Sequence, residues 1–196
     1  MGKIYVIMGK SASGKDTVYG RVRAMLPELP GVVTYTTRPM RSGEEDGVSY
    51  HFVTPEFVDR AEKEGKLIEK RVYDTVYGPW IYATIDDGQI DTDRGDYLLP
   101  GTLVSYLKLK NYFGAEKVIP VYIQVEDGER LLRAIDREKQ QKEPKYAEMC
   151  RRFLADCEDF SEEKLCEAGI GKRYENLDAD SCAGEIADLI RGDRHD

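Results

Sequence analysis

KIYVIMGKSASGKDT, residues 3–17, is the stretch of sequence that decides the fold of this 196-residue chain. Residues 3–8 are apolar and partly β-branched, which predicts a short buried parallel strand that ends at Gly9. From Lys15 to about Met25 the pattern is helical. A strand, a glycine loop and a helix in this order form a P-loop, whose backbone N–H groups and helix N-terminus attract phosphate.

The loop supplies the candidate nucleotide-binding residues, and Lys15 is expected to reach the β- and γ-phosphate oxygens. The P-loop pattern has Ser or Thr directly after this lysine, where the hydroxyl contacts magnesium, whereas this chain has Asp16 and then Thr17. A carboxylate is compatible with the positive end of a helix dipole, so Asp16 is the candidate Mg²⁺ ligand. The predicted nucleotide-binding set is Gly9, Ser11, Ala12, Ser13, Gly14, Lys15, Asp16 and Thr17.

Strands and helices alternate through most of the remaining sequence, which predicts an α/β fold: a three-layer parallel sheet with helices on both faces, of the P-loop kinase type. This core takes in residues 1–34 and 96–196. Further strands are expected at 32–34, 97–100, 118–125 and, weakly, 172–175; further helices are expected at 102–111, from Asp127 onward, at 146–168 and at 180–190.

Residues 35–95 have a different pattern, with extended segments on either side of one helix. That helix is expected at 55–66, with Thr54 as N-cap and Pro55 at the first helical position. We predict a small α+β insertion, which would form a subdomain that binds a second substrate.

Composition excludes several classes of protein. The net charge of −8 makes nucleic-acid or anionic-membrane binding a poor expectation, because phosphate backbones are neutralised by excess Lys and Arg. No apolar run approaches the length of a membrane span, and the N-terminus has no secretory signal. The four cysteines include no C-x-x-C pair, so zinc is not expected. These features favour a cytoplasmic protein with reduced thiols.

A second phosphate site is predicted in TYTTRPMRSGEEDGVSYHF, residues 34–52. Two arginines, Arg38 and Arg41, follow a run of hydroxyl side chains, and a turn rich in glycine leads from them to Tyr50. Guanidinium groups bind phosphate oxygens in a bidentate manner, and hydroxyls add further donors. Two phosphate sites in one small chain indicate phosphoryl transfer between two bound molecules.

The pattern Thr36-Thr37-Arg38-x-x-Arg41-x-Gly43-Glu44-x-x-Gly47-x-x-Tyr50-x-Phe52 resembles the guanylate kinases, and a weaker resemblance extends over nearly the whole chain. The resemblance implies that the phosphate of GMP is held by Arg38, Arg41 and Tyr50, with Thr34 or Tyr35 nearby. It also implies that Glu69 reads the guanine N1–H and N2 amine, and that Tyr77 binds the GMP phosphate.

Two positions depart from the family pattern near the guanine base. Pro79-Trp80 follow Tyr77-Gly78 where the family has Ser or Thr, which removes a donor to guanine O6. The strand at 97–100 continues as Leu98-Leu99-Pro100 where the family has an acidic pattern. A site built for hydrogen bonds loses discrimination when a partner is missing, so base recognition is expected to differ here.

A lid is predicted at about residues 133–152. Arg133 and Arg137 are i and i+4 on one helical face. With Arg152, which fits the family register better than Arg151, they are the candidate catalytic arginines alongside Lys15. Arginines stabilise the charge that spreads over the transferred phosphoryl group, and a lid excludes water. The resemblance further places Asn176 near the adenine of ATP.

The resulting hypothesis is a nucleoside monophosphate kinase that uses ATP and Mg²⁺ to convert GMP to GDP. Positioning and charge neutralisation are sufficient for this chemistry, so no side-chain nucleophile is required. Two alternatives stay open: a P-loop kinase for a different small phosphorylated acceptor, and a guanylate-kinase-like module that binds without catalysis. The sequence also leaves open the use of dGMP and the oligomeric state.

Overall fold

The computed structural model describes residues 2–41, 43–75 and 78–194. In chain order its elements are β1 (Ile4–Gly9), α1 (Lys15–Met25), β2 (Tyr35–Thr36), β3 (His51–Phe52), α2 (Pro55–Lys63), β4 (Leu67–Thr75), β5 (Gly78–Ile85), β6 (Tyr97–Pro100), α3 (Leu103–Phe113), β7 (Val118–Gln124), α4 (Asp127–Lys139), α5 (Tyr146–Asp159), α6 (Glu162–Glu167), β8 (Tyr174–Glu175) and α7 (Ala179–Asp193). In these ranges no helix is both long and apolar enough to pass through a membrane.

The core is a four-stranded sheet with the order β6-β1-β7-β8, and all its strand pairs are parallel. Alternate residues of β1 face opposite sides, because successive strand side chains point in opposite directions. Tyr5 and Ile7 pack with buried residues of α1 and α7, whereas Ile4, Val6 and Met8 pack with buried residues of α3 and α6. The three-layer α/β prediction is therefore confirmed.

A second sheet lies within the predicted insertion and has the order β3-β2-β5-β4. Its long β4–β5 hairpin is antiparallel, and β2 pairs with β5 antiparallel and with β3 parallel. Helix α2 covers it through the buried side chains of Val58 and Ala61. The domain limits at residues 34/35 and 95/96 stay a prediction.

Two predicted elements differ from the structure. The helix expected at 146–168 is divided into α5 and α6, because Phe160 leaves helical geometry and Ser161 begins a new helix by accepting a hydrogen bond from the N–H of Lys164. The strand expected at 32–34 is replaced by an irregular segment beside β6, where Val32 N–H bonds Leu98 O at 2.8 Å; strand geometry begins at Tyr35.

Candidate active site

The glycine loop between β1 and α1 has the backbone geometry of a phosphate cradle. Ala12 and Gly14 both have positive φ, 61° and 79°. At Gly14 a Cβ atom would lie 2.4 Å from Asn176 Nδ2, so this position requires glycine for conformation and for space. Successive N–H groups in such a turn, followed by the start of an eleven-residue helix, form a concave site for an anion.

Polar groups in the loop are placed for a ligand. Among residues 2–41, 43–75 and 78–194, the buried Ser13 Oγ has no hydrogen-bond partner. Lys15 Nζ lies 2.6 Å from the carboxylate of Asp16, whose side chain is 92% exposed. Thr17 is also exposed. The Lys15 ammonium is thus held at the loop mouth by a partner that a phosphate could replace.

Asn176 supports the loop from behind. Its side chain is buried, and Nδ2 donates to Ser13 O at 2.7 Å. Arg133 donates to Asn176 O at 3.2 Å and pairs with Glu129 at 2.9 Å. These contacts join the loop to β8 and α4. A role for Asn176 at the adenine stays a prediction.

Arg130 is a site residue that the sequence analysis missed. Its side chain is fully buried, stacks on the Phe153 ring at 4.7 Å and donates from Nε to Ser11 O at 3.0 Å. It also pairs with Asp127, and Asp156 accepts from the Ser11 N–H at 2.7 Å. The signal available in the sequence was only that Arg130 falls on the apolar side of α4.

The carboxylate of Asp127 belongs to the same network. Burial acts to raise its pKa, but hydrogen bonds from Arg130 and Lys10 hold the pKa below its usual range. The network joins α4 to the first residues of the loop and keeps Asp127 ionised near the phosphate site.

The predicted lid arginines have different positions. Arg152 Nη2 donates to Ser11 Oγ at 3.1 Å, which brings this exposed residue to the loop. Its neighbour Arg151 instead pairs with Glu148, at 2.7 and 2.8 Å. Arg133 lies behind the loop, and Arg137 is exposed near the end of α4. The structure therefore brings Arg152 and Arg133 to the loop, and leaves Arg137 on the exposed helix surface.

The predicted second phosphate site contains an ion pair between the buried Arg38 and the half-buried Glu44. Arg38 is 4% exposed, and its guanidinium donates to both carboxylate oxygens of Glu44. Glu44 also accepts from the Arg41 N–H at 2.8 Å. The hydrogen bonds from Arg38 lower the pKa of Glu44 to about 2. Glu44 thereby fixes Arg38 in place, while the Arg41 side chain stays exposed.

Aromatic rings surround Arg38. Its guanidinium lies over the Tyr50 ring at 5.1 Å and the Phe52 ring at 5.5 Å. Burial raises the pKa of Tyr50, and the nearby Tyr82 and Asp16 raise it further. The charge of Asp16 thus reaches Tyr50, so the start of α1 lies in the neighbourhood of the ring that stacks on Arg38.

The hydroxyl residues before Arg38 make hydrogen bonds within the second sheet and to the segment that follows it. Thr36 Oγ1 donates to Ile81 O at 2.9 Å, Thr37 Oγ1 accepts from the Ile81 N–H at 2.9 Å, and Tyr35 donates to Asp87 at 2.6 Å. Thr34 is buried, and its backbone oxygen pairs with His51. Their contribution to the phosphate site is to position the strand that carries Arg38.

Glu69, the predicted base reader, is buried on β4. Its carboxylate accepts from Arg71 at 3.0 and 3.2 Å and from Thr84 at 3.0 Å. Arg71 was not singled out from the sequence, although residues i and i+2 of a strand share one face. Tyr77 lies outside the described residues.

The structure also shows where the two positions that depart from the family pattern lie. Pro79 is exposed in the β4–β5 hairpin, and Pro100 is the last residue of β6, opposite Ile7 of β1. Asp96 lies at the other end of β6, where it accepts from Lys3 N and Arg194. In the described part of the chain no group of three His, Cys, Asp or Glu side chains is arranged to hold a metal alone.

Comparisons with known proteins agree with this geometry. The family model described as Guanylate kinase matches residues 1–177. The guanylate kinase of Chlorobaculum tepidum is 32% identical over 136 residues, which are 68% of this chain and 67% of that protein. The guanylate kinase of Syntrophotalea carbinolica is 41% identical over 99 residues, which are 50% of this chain.

Some of the sequence relatives are matched over less than half of their length, whereas the solved structure is matched over most of its length. The chain spans 45% of the Syntrophotalea carbinolica protein and 38% of the Desulfotalea psychrophila guanylate kinase. The crystal structure of guanylate kinase from Anaplasma phagocytophilum superposes with a TM-score of 0.65 at 24% identity, covering 98% of this chain and 86% of that one. This superposition shows a shared fold.

Proposed function

Since the chain belongs to the guanylate kinase family, we propose that it transfers the γ-phosphoryl group of ATP to GMP. The observation that carries the proposal is the presence of two candidate phosphate sites in one chain. One is the glycine loop with Lys15, and the other is the Arg38 guanidinium fixed by Glu44. The two candidate sites are near each other, since the charge of Asp16 contributes to the raised pKa of Tyr50, whose ring centroid lies 5.1 Å from the Arg38 guanidinium.

The reaction follows from this arrangement. A phosphate oxygen of GMP would attack the γ-phosphorus in line, forming the new O–P bond while the bond to the β-phosphate oxygen breaks and ADP leaves. The Lys15 ammonium would leave the Asp16 carboxylate and bind the β- and γ-phosphate oxygens of ATP. Arg152, which donates to Ser11 Oγ in the loop, would neutralise charge on the transferred group.

Magnesium fits this site as a partner of the nucleotide. Mg²⁺ is usually held by one or two carboxylates together with substrate phosphates, and the exposed Asp16 at the start of α1 supplies such a carboxylate. Bound there, the ion would neutralise charge on the phosphate oxygens. Thr17 is the neighbouring hydroxyl for a water-mediated contact.

The test is a coupled ADP-release assay with Mg-ATP and each of GMP, dGMP, AMP, CMP and UMP. We expect turnover with GMP and loss of at least two orders of magnitude in kcat for Lys15→Met, because a principal charge contact to the phosphates is removed. Lys108→Met, an exposed site on α3, is the matched control.

The acceptor half is tested separately with Arg41→Met. We expect the KM for GMP to rise sharply while the Kd for ATP, measured by calorimetry, stays nearly unchanged. Unchanged GMP kinetics in this variant would contradict the assignment of the 34–52 segment. ATP binding without turnover on any acceptor would favour a binding module instead.

A different phosphorylated acceptor is the second candidate, and one observation favours it. Glu69, which would read guanine, is covered by Arg71, and Pro79 and Pro100 stand where the family has polar groups. Turnover with a monophosphate other than GMP in the same assay would support this candidate.

A further inference from the structure

Ser11, near the start of the glycine loop, has each of its three polar groups bound by a charged side chain. Its N–H donates to Asp156 Oδ2 at 2.7 Å, its carbonyl oxygen accepts from Arg130 Nε at 3.0 Å, and its Oγ accepts from Arg152 Nη2 at 3.1 Å. Arg130 belongs to α4, and the other two residues belong to α5. Two distant helices therefore fix the orientation of the peptide groups on either side of Ser11.

The turn that contains Ser11 is strained at its third residue. The Ser13 N–H donates to Lys10 O at 3.1 Å and closes a four-residue turn. The third residue, Ala12, has a φ of 61°, and in the described part of the chain it is the one residue other than glycine with a positive φ. A type II turn requires a positive φ at this position and usually has glycine there. Alanine keeps this conformation only where its surroundings hold it.

The hydrogen bonds to the loop carbonyls determine where the loop N–H groups point. The C=O and N–H of one trans peptide point in opposite directions. Because Arg130 binds the Ser11 oxygen, the N–H of Ala12 is directed away from Arg130. Asn176 binds the Ser13 oxygen at 2.7 Å and fixes the next peptide group in the same manner. The donors of the phosphate loop are thus oriented by side chains from other elements.

The charges around Arg130 explain why Asp156 is needed. The Arg130 side chain is 0% exposed, and a buried guanidinium is costly without carboxylate partners. Asp127 is one partner, but it is shared with Lys10 Nζ at 3.3 Å. Asp156 is the second, with Oδ2 at 3.7 Å from Arg130 Nη2. Two cations and two carboxylates therefore balance beside the loop.

We propose that Asp156 and Arg130 are positioning residues, which hold Ala12 in its positive-φ conformation and thereby set the affinity of the loop for a nucleoside triphosphate. This inference rests on the proposed function. Both side chains act through Ser11, so neither has to contact the nucleotide. Helix α5 is coupled to the loop in this way, because the residue that Asp156 binds is the one before Ala12.

Other roles for Asp156 give different results when its carboxylate is removed. If Asp156 acted only by its charge, or competed with phosphate for the Ser11 N–H, its removal would tighten ATP binding, because negative charges repel. If Asp156 only stabilised the fold, its removal would lower the unfolding temperature without changing ATP affinity. The positioning role instead predicts weaker ATP binding, which an amide at this position largely restores.

The test is the Kd for Mg-ATP, measured by calorimetry in the wild type, Asp156→Ala, Asp156→Asn and the control Asp159→Ala, an exposed carboxylate on the same helix. We expect Asp156→Ala to raise the Kd about tenfold, because the Ser11 N–H loses its acceptor. Asp156→Asn should stay within about threefold of the wild type, since its amide oxygen accepts the same hydrogen bond. The control should match the wild type, and the Kd for GMP should be unchanged in all four proteins.

A second substitution tests whether the effect passes through Ala12. Glycine adopts a positive φ without a steric penalty, so Ala12→Gly should recover about threefold of the affinity lost in Asp156→Ala. A merely structural role of Asp156 would not give this recovery. Equal Kd values for Asp156→Ala with and without Ala12→Gly would overturn the proposed role of the Ala12 conformation.

Arg130→Lys provides an independent test that does not depend on the folding of Asp156→Ala. Lysine keeps the positive charge but lacks the planar fork that binds the Ser11 oxygen and two carboxylates together. We expect the Kd for ATP to rise about tenfold, again with GMP binding unchanged. Thermal unfolding of each variant shows whether the fold is retained. Unchanged or tighter ATP binding in Arg130→Lys or in Asp156→Ala overturns the inference.

Binding and transfer are measured separately, which distinguishes this inference from the proposed function. If ATP binds in a manner that depends on Asp156 and Arg130 but is transferred to no acceptor, the transferase proposal fails and the inference stands. If transfer to GMP occurs while the Kd for ATP is independent of both residues, only the inference fails. If the wild type does not bind ATP, both fail.

Discussion

Glu44 determines where the Arg38 guanidinium lies, and this pair is the basis of the proposed acceptor site. Arg38 is held in a buried position by hydrogen bonds to both Glu44 oxygens and by the rings of Tyr50 and Phe52. Pre-organised side chains lose less freedom when a ligand binds. A weaker Arg38–Glu44 pair should therefore lower both stability and affinity for the acceptor phosphate.

We predict that Glu44→Gln lowers the free energy of unfolding at pH 7 by about 1–2 kcal/mol, since a charge-assisted pair is weakened in a partly exposed place. The pKa of Glu44 is depressed from 4.5 to about 2 in the fold. Its contribution is therefore complete above about pH 4.5 and is lost as the pH falls toward 2.

Urea unfolding of the wild type and Glu44→Gln at pH 7, 5 and 3.5 measures this dependence. The difference between the two proteins should shrink at the lowest pH. Glu45→Gln, at an exposed neighbouring carboxylate, is the matched control. A difference that is independent of pH would show that the Glu44 charge is not the stabilising feature.

The sequence singled out Arg38, Arg41 and Tyr50 because their chemistry suits phosphate, and their role in binding a phosphate stays a prediction. The sequence did not show how these side chains pair. The Glu44 contact depends on the path of a turn, which spacing does not encode. The Glu69–Arg71 pair was available from strand periodicity, since the two residues share a face of β4.

Among the secondary-structure elements, α5 and α6 are two helices where the sequence predicted one. The apolar pattern continues through the break, because Phe160 and Leu165 are both buried, and so sequence periodicity predicted one helix. The break is local capping chemistry: Ser161 accepts from the N–H of Lys164, and Phe160 stacks on Tyr122 at 5.5 Å.

Ser161→Ala is expected to lower the free energy of unfolding by about 1 kcal/mol, because the cap hydrogen bond of α6 is lost. Thr54→Ala is the matched control, since Thr54 is the N-cap of α2 but its side chain makes no cap hydrogen bond. Denaturant unfolding should show the larger loss for Ser161→Ala. An equal loss in both variants would show that the hydrogen bond from the Lys164 N–H to Ser161 does not stabilise the protein.

Two adjacent arginines of helix α5, Arg151 and Arg152, contact different partners. We predict that Arg152→Met lowers kcat by about two orders of magnitude, because Arg152 reaches the loop through Ser11 Oγ and would contact the transferred group. Arg151→Met, whose side chain pairs with Glu148 away from the loop, should leave kcat within about twofold. Single-turnover kinetics are the measurement, and equal effects in both variants would contradict the assignment.

For the whole molecule, the sequence predicted the architecture because three of the four core strands are apolar and each core strand is followed by a helix. Parallel strands buried on both faces need such runs, and β1, β6 and β7 supply them. The sequence could not predict the network of Lys10, Asp127, Arg130 and Asp156, since it joins Lys10 to residues more than a hundred positions further along the chain.

The two proposed phosphate sites lead to a prediction about a ligand that spans both of them. Adenosine and guanosine joined by five phosphates should bind more tightly than ATP by at least tenfold, because the second contact is intramolecular once the first is made. Calorimetry should show the gain lost in Lys15→Met and in Arg41→Met, and kept in Lys108→Met. An affinity equal to that of ATP in the wild type would mean that the loop and the 34–52 segment do not act on one ligand, although the charge of Asp16 acts on Tyr50.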